Sequence, residues 1–290
     1  MEILETFING LSSGGTYAMI ALGYTMVYGI AKMLNFAHGD IIMVGGYMLY
    51  VTMSSMGNPL LGLGAAVITC VLLGIAIEKV AYKPLRGASP LAVLITAIGV
   101  SYLLQSTAQM IFGTSPKMVI VGNLGNFRLG GLKIPYYILI TVVCSFTIMI
   151  ALTLFVKNTK TGRAMIAVSE DKGAAQLMGI NVNRIIMLTF AIGSALAAFA
   201  GFFMLMKSPS LSNTLGAMPG IKAFTAAVIG GIGSIPGAMV GGVLLGVVEA
   251  VSFKIPVIAP YTDAIEFMIL ILILLVKPTG IMGKGRREKV

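Results

Sequence analysis

Apolar residues in this chain run on in long blocks rather than alternating with polar ones at the spacing of a half-buried helix or strand. Six stretches contain no Lys, Arg, Asp or Glu: residues 6–31, 41–77, 87–116, 134–156, 185–206 and 223–248. A helix crosses the hydrocarbon core of a bilayer with about 20 apolar residues, so these runs alone suggest at least six crossings. The run 41–77 contains Gly57-Asn58-Pro59, a turn signal that divides it into two spans. The run 223–248 is interrupted at Gly233-Ser234-Ile235-Pro236-Gly237. That break separates a short segment ending near Ile232 from a fuller span reaching about Phe253. A last span runs from about Thr262 to Val276, with Asp263 and Glu266 at capping-box spacing near its start. The predicted spans are 6–30, 37–55, 60–79, 89–112, 135–156, 185–206, 222–232, 237–253 and 262–276. The weakest patterns are 37–55 and 222–232, so the expectation is eight or nine crossings.

Composition leaves no soluble alternative. Hydrophobic residues make up 57% of the chain and charged ones 10%, and a globule of this size needs a charged surface. The expected fold is an all-α integral membrane protein, a polytopic helical bundle forming one domain over 1–290. A soluble nucleic-acid binder is excluded despite the net charge of +10. The first apolar run is preceded by Glu2 and Glu5 and is too long for the apolar region of a cleavable signal, so the first helix is expected to be retained. With nine spans and the N-terminus outside, 14 of the 20 basic residues fall on one side. The positive-inside rule makes that side cytoplasmic, which predicts N-out and C-in. The tail 277–290, basic from Lys284 to Lys289, reads as a topology anchor. Cys70 and Cys144 lie in apolar stretches and read as packing residues.

The chemistry of an enzyme is missing. His38 is the single histidine, so no histidine cluster can hold zinc. HExxH does not occur, and the pair Gly283-Lys284 is followed by Gly285 rather than the Ser or Thr of a phosphate-binding loop. No metal and no cofactor is expected on this chain, and a transport role becomes the default.

One segment departs from the apolar pattern. Residues 157–184 carry 7 of the chain's 30 charges. Ala164, Val168, Ala175 and Met178 share one helical face, with Glu170, Asp171, Lys172 and Gln176 on the rest, and Gly179 supplies a stop. A short amphipathic helix between two spans suits either a partner's groove or the lipid headgroup layer.

Gly162-Arg163-Ala164, Glu170-Asp171, Ala174-Ala175, Met178-Gly179-Ile180-Asn181 and Arg184 together resemble the coupling loop of importer permeases driven by ATP-binding cassettes. The resemblance is to the branched-chain amino acid permease family. It extends to Ala21–Gly29, to Asn35-Phe36-Ala37-His38-Gly39-Asp40, and to Lys222-Ala223-Phe224 followed by Gly230–Ala238. It implies a membrane-spanning subunit of a bacterial inner-membrane importer for leucine, isoleucine and valine. It also implies a second related permease, two ATP-binding subunits that hold ATP and Mg, and an extracytoplasmic binding protein. The residues implied for coupling are Arg163, Glu170, Asp171, Ala174, Ala175, Gly179 and Asn181. The sequence departs from a contiguous Glu-Ala-Ala signature, because Asp171-Lys172-Gly173 separates Glu170 from Ala174-Ala175. Relatives carry other amino acids, amides or urea, and an ion-gradient-driven transporter is the competing class.

Polar residues in the apolar blocks are candidates for the translocation path: Asn35 and His38 before the second span, and Glu249 late in the span 237–253. The alternatives are a cytoplasmic turn whose Asn35 and Asp40 cap helix ends, and a carboxylate facing the membrane edge. Gln105 reads as an interhelical hydrogen bonder. Gly233, Gly237 and Gly241 recur at four-residue spacing, as do Gly242 and Gly246, a pattern that lets helices approach closely.

Overall fold

A computed structural model describes residues 2–122, 125–129 and 132–283. The basic run Lys284–Lys289 lies outside the described residues. The helices are α1 (Glu2–Ala31), α2 (His38–Met56), α3 (Pro59–Ile77), α4 (Pro90–Phe112), α5 (Tyr136–Asn158), α6 (Lys160–Glu170), α7 (Lys172–Leu177), α8 (Val182–Lys207), α9 (Ala217–Gly230), α10 (Ile235–Lys254) and α11 (Thr262–Val276). After α3 the chain continues through a π turn, Glu78–Tyr82, and a 3-10 turn, Lys83–Leu85.

The predicted helix starts at prolines have side-chain caps. Asn58 accepts from the amides of Leu60 and Leu61 ahead of α3, Ser89 from Ala92 ahead of α4, and Ser234 from Gly237 ahead of α10. In each case a proline sits in the first turn, where its missing N–H is no loss. Gly57 takes φ 65° to end α2.

Two antiparallel ribbons depart from the all-α expectation. β1 (Lys117–Met118) pairs with β4 (Ser210–Leu211), and β2 (Asn126–Leu129) pairs with β3 (Leu132–Pro135). The first stitches the α4–α5 connection to the chain just after α8, and the second is a hairpin within that connection.

α1 is the central helix, packed against α5, α8, α9 and α10. The α1–α10 seam is made of small residues. A Cβ on Gly14 would meet the Cα of Val243 at 2.7 Å, and one on Gly242 would meet the Cα of Ala18 at 2.5 Å. Among the described residues six helices are long and apolar enough to cross a membrane. Their burial differs sharply: the apolar window of α8 is 67% buried, that of α4 17% and that of α11 11%. α8 therefore belongs to the protein core, while α4 and α11 present apolar surface outward.

The segment predicted at 222–232 is α9, which starts earlier, at Ala217, and has 14 residues. At 1.5 Å per residue it is about 21 Å long, short of a bilayer core. α9 and α10 form a tight helical hairpin. Gly237 faces the backbone of Gly230, and Gly241 that of Ala226. Gly233, grouped with them by spacing, sits instead in the turn at φ 97° with open space around it.

Two local expectations differ from the structure. No side chain caps α11: Tyr261 stands at the cap position without a cap bond. Asp263 and Glu266 point to a lysine on another helix instead. The 157–184 segment forms two helices rather than one. Asp171, at φ −151° and ψ 115°, ends α6 and starts α7.

Candidate functional site

The surface segment is built by local capping. Thr159 accepts from the Gly162 amide to open α6. Asp171 accepts from the amides of Gly173 (2.7 Å) and Ala174 (2.9 Å) to open α7. Gly179 at φ 83° closes α7, with Gly179 N–H on the Gln176 carbonyl and Ile180 N–H on that of Ala175, the Schellman pattern. Asn181 accepts from the Arg184 amide to open α8. Of the residues that the resemblance assigned to coupling, Asp171, Gly179 and Asn181 shape the backbone. Arg163, Glu170 and Ala174 are exposed, and Ala175 is buried.

The break at Asp171 divides the predicted apolar face. Val168 and Ala175 are buried and Ala164 is half-buried, but Met178 is 83% exposed beside Leu177 at 91%. Met165, which the stripe omitted, takes a buried place on α6. The outer surface thus shows two large apolar side chains next to acidic and basic ones. Lys172 donates to the Ala31 carbonyl at 2.8 Å, tying α7 to the end of α1.

α6 has a second neighbour. A cavity of about 720 Å³ opens between α1, α5, α6 and the 231–236 turn. Thr25, Lys157, Met165, Ser169, Glu170 and Gly233 are among its lining residues. The hydroxyl of Thr25 is buried with no hydrogen-bond partner among the described residues. Glu170 therefore lines a cavity as well as an outer face.

The residues between α1 and α2 are not a solvated turn. Asn35, His38 and Asp40 are all buried. The Asn35 carboxamide oxygen accepts from the Tyr82 hydroxyl at 2.9 Å, and Asp40 accepts from the Gln105 side chain at 2.8 Å. His38 packs edge-on against Tyr24 with ring centroids 4.8 Å apart, and its Nε2 has no hydrogen-bond partner among the described residues. Asn35, in the turn before α2, thus bonds the π turn, and Asp40, on α2, bonds α4, rather than either capping a helix end. They form a polar knot in the bundle's interior.

Glu249 does not face the membrane edge. It sits in a buried ion cluster joining α1, α9, α10 and α11. Lys222 Nζ lies 2.9 Å from Glu249, 2.8 Å from Asp263 and 3.3 Å from Glu266. The Tyr17 hydroxyl donates to Glu249 at 2.8 Å. Apart from Glu249, sequence reasoning did not find this cluster: Lys222 counted only toward topology, and the two acids of α11 looked like caps. The available signal was three acids and two lysines, Lys222 and Lys254, as the charges of the mostly apolar stretch 222–266. Buried charges need partners, so each should have raised the search for the others. Among the described residues no group of His, Cys, Asp or Glu could hold a metal ion.

A helical bundle with a polar interior, a broken hairpin and a capped two-helix stub beside a cavity has the build of a membrane transport permease. The model of the family described as branched-chain amino acid transport system, permease component, matches residues 6–274. The chain is 45% identical to the high-affinity branched-chain amino acid transport system permease protein BraD of Pseudomonas aeruginosa, covering 99% of this chain and 98% of that protein. It is 42% identical to LivH of Escherichia coli K12, covering 100% and 98%. A more distant relative is the ribose import permease RbsC of Haemophilus influenzae, at 26% identity over 84% and 76%. The chain belongs to the branched-chain amino acid transport permease family. It is a permease component of a transport system with further subunits.

Proposed function

We propose that this chain is one membrane-spanning half of an ATP-driven importer for leucine, isoleucine and valine in the bacterial inner membrane. The whole chain 1–290 acts as one permease domain that crosses the membrane eight or nine times, N-out and C-in, with α9 as the short crossing. A second related permease completes the pore. Two ATP-binding subunits hold ATP and Mg on the cytoplasmic side, and an extracytoplasmic binding protein delivers the substrate.

The observation that carries this reading is the double position of α6–α7. The outer surface presents Leu177, Met178 and Arg163, a patch of size and chemistry suited to a groove on an ATP-binding subunit. The inner surface, through Met165, Ser169 and Glu170, lines the cavity beside α1. A rigid-body shift of the docked stub therefore reshapes the cavity wall, and Lys172 carries the same displacement to the end of α1. Alternating access needs no chemistry on this chain beyond such coupled motion.

The test is co-purification of the tagged chain with its partner subunits in detergent, followed by ATPase assays with leucine-loaded binding protein. Recovery of two ATP-binding subunits whose activity the loaded protein stimulates supports the proposal. A chain that purifies alone and transports in proteoliposomes under an ion gradient overturns it.

A further inference from the structure

The cavity beside α6 has a polar lining that the coupled motion does not use. Lys157, in the last turn of α5, and Glu170, at the end of α6, both line it. Neither side chain has a hydrogen bond or ion pair among the described residues. Two opposite charges thus border one space without pairing. Helix ends of both signs open on the same space. α6 terminates at Glu170, so its last carbonyls add partial negative charge there, while α10 starts in the cavity wall at Ser234, Ile235 and Pro236 and adds partial positive charge. Pro236 has no N–H, and Ser234 Oγ accepts from the Gly237 amide at 3.1 Å. That leaves the Ile235 amide as the donor in the first turn.

A third polar group points to a ligand independently of these charges. Thr25 of α1 lines the cavity and is 1% exposed, and its hydroxyl has no hydrogen-bond partner among the described residues. A buried hydroxyl without a partner is unfavourable, and a polar occupant would satisfy it. Much of the remaining wall is apolar, with Met26, Ile30, Val156 and Met165. A small molecule carrying one positive group, one negative group and an aliphatic body matches all of these features. A ligand with a single charge leaves one side chain uncompensated.

We propose that this cavity binds the transported amino acid as its zwitterion. The ammonium lies against Glu170 and the end of α6, and the carboxylate against Lys157 and the first turn of α10. The Thr25 hydroxyl bonds the same polar head, and the aliphatic side chain packs on Met26, Ile30 and Met165. Glu170 belongs to the surface stub, so a displacement of α6 alters the ammonium contact and loosens the ligand. The identity of the ligand as a transported amino acid rests on the importer reading, whereas its zwitterionic character rests on the cavity alone.

The experiment is titration of the full chain in detergent, followed by saturation-transfer NMR, with leucine, leucinamide, which lacks the carboxylate, and 4-methylpentanoate, which lacks the ammonium. Leucine should bind at least about 10-fold more tightly than either analogue. Glu170→Gln should weaken leucine about fivefold and leave 4-methylpentanoate unchanged, and Lys157→Gln should weaken leucine about fivefold and leave leucinamide unchanged. Lys160→Gln, which removes an exposed charge outside the cavity, should change none of the three. Thr25→Val should weaken leucine while holding or raising the thermal midpoint, because it removes an unpaired buried hydroxyl. A general loss of structure would instead weaken all three ligands together and lower the midpoint. Absence of leucine binding, equal binding of the three ligands, or losses that ignore the matching charge overturn the site. Co-purified ATP-binding subunits without this binding pattern overturn the site alone, and the pattern in a chain that purifies alone overturns the importer reading while keeping the site.

Discussion

Replacing Lys222 with Met removes the cation on which three carboxylates converge, while keeping most of the side-chain volume. The carboxylates differ in solvent access: the side chain of Glu266 is 0% exposed, that of Glu249 11% and that of Asp263 51%. At an effective dielectric constant of about 20, a pair at 2.9 Å has a Coulomb energy of about 6 kcal/mol and one at 3.3 Å about 5 kcal/mol. Desolvation of the ammonium and carboxylates offsets much of this, and removal of one partner from a buried pair typically costs about 3–5 kcal/mol. The loss falls on α11. Thr262 and Glu266 are the buried residues of that helix, so the ion cluster is its principal polar anchor to α9 and α10. The chain has no Trp, so far-ultraviolet circular dichroism of the full chain in detergent is the suitable thermal assay. The midpoint should fall by roughly 6–20 °C, using the scale for chains of this size. Asp263→Asn, at a half-exposed position, should cost less than about 1 kcal/mol. Lys222→Met combined with Glu249→Gln and Glu266→Gln should recover much of the loss, because no buried charge is then left uncompensated. The reasoning fails if Lys222→Met melts within about 1 kcal/mol of the parent, or if the triple variant is less stable than the single one.

Other outcomes follow from the same structure. Gly242→Leu drives a side chain into the backbone of Ala18 and should cost at least about 1–3 kcal/mol by thermal melting. Gly64→Ala, with open space at the added Cβ, should instead be neutral or stabilising by up to about 1 kcal/mol. Gly179→Ala forces an L-residue to φ 83° and should loosen the α7–α8 connection by about 1–2 kcal/mol, read as faster amide exchange confined to residues 172–184. Leu177→Asp and Met178→Asp should lower retention of ATP-binding subunits at least about 10-fold without changing the melting of the chain, because both side chains are exposed in the isolated subunit. Glu170→Arg should leave subunit retention measurable but abolish stimulation by loaded binding protein. Unchanged stimulation would remove Glu170 from the coupling path.

Much of the helical architecture was legible in the sequence because membrane spans are written in composition. Runs without charge and breaks at Asn-Pro, Ser-Pro and Gly-rich turns mark helix ends through local rules, and α3, α4 and α10 begin where such rules place them. The surface segment was legible for a related reason. Asp171, Gly179 and Asn181 act on backbone groups within a few residues of themselves, so their roles are local. The split into α6 and α7 was missed because periodicity alone does not register that Asp171 can turn the chain by capping the next helix.

What the sequence by itself determined was the class of protein, the approximate spans and the presence of one polar surface segment among them. Only the tertiary structure decided which polar residues meet. Asn35 finds Tyr82 and Asp40 finds Gln105, across 47 and 65 residues. Lys222 draws together acids from two later helices, changing Asp263 and Glu266 from apparent caps into buried partners. In an apolar interior, charges and hydrogen-bonding groups must find one another across the bundle. Those long-range pairings depend on how the helices pack, which local pattern does not encode.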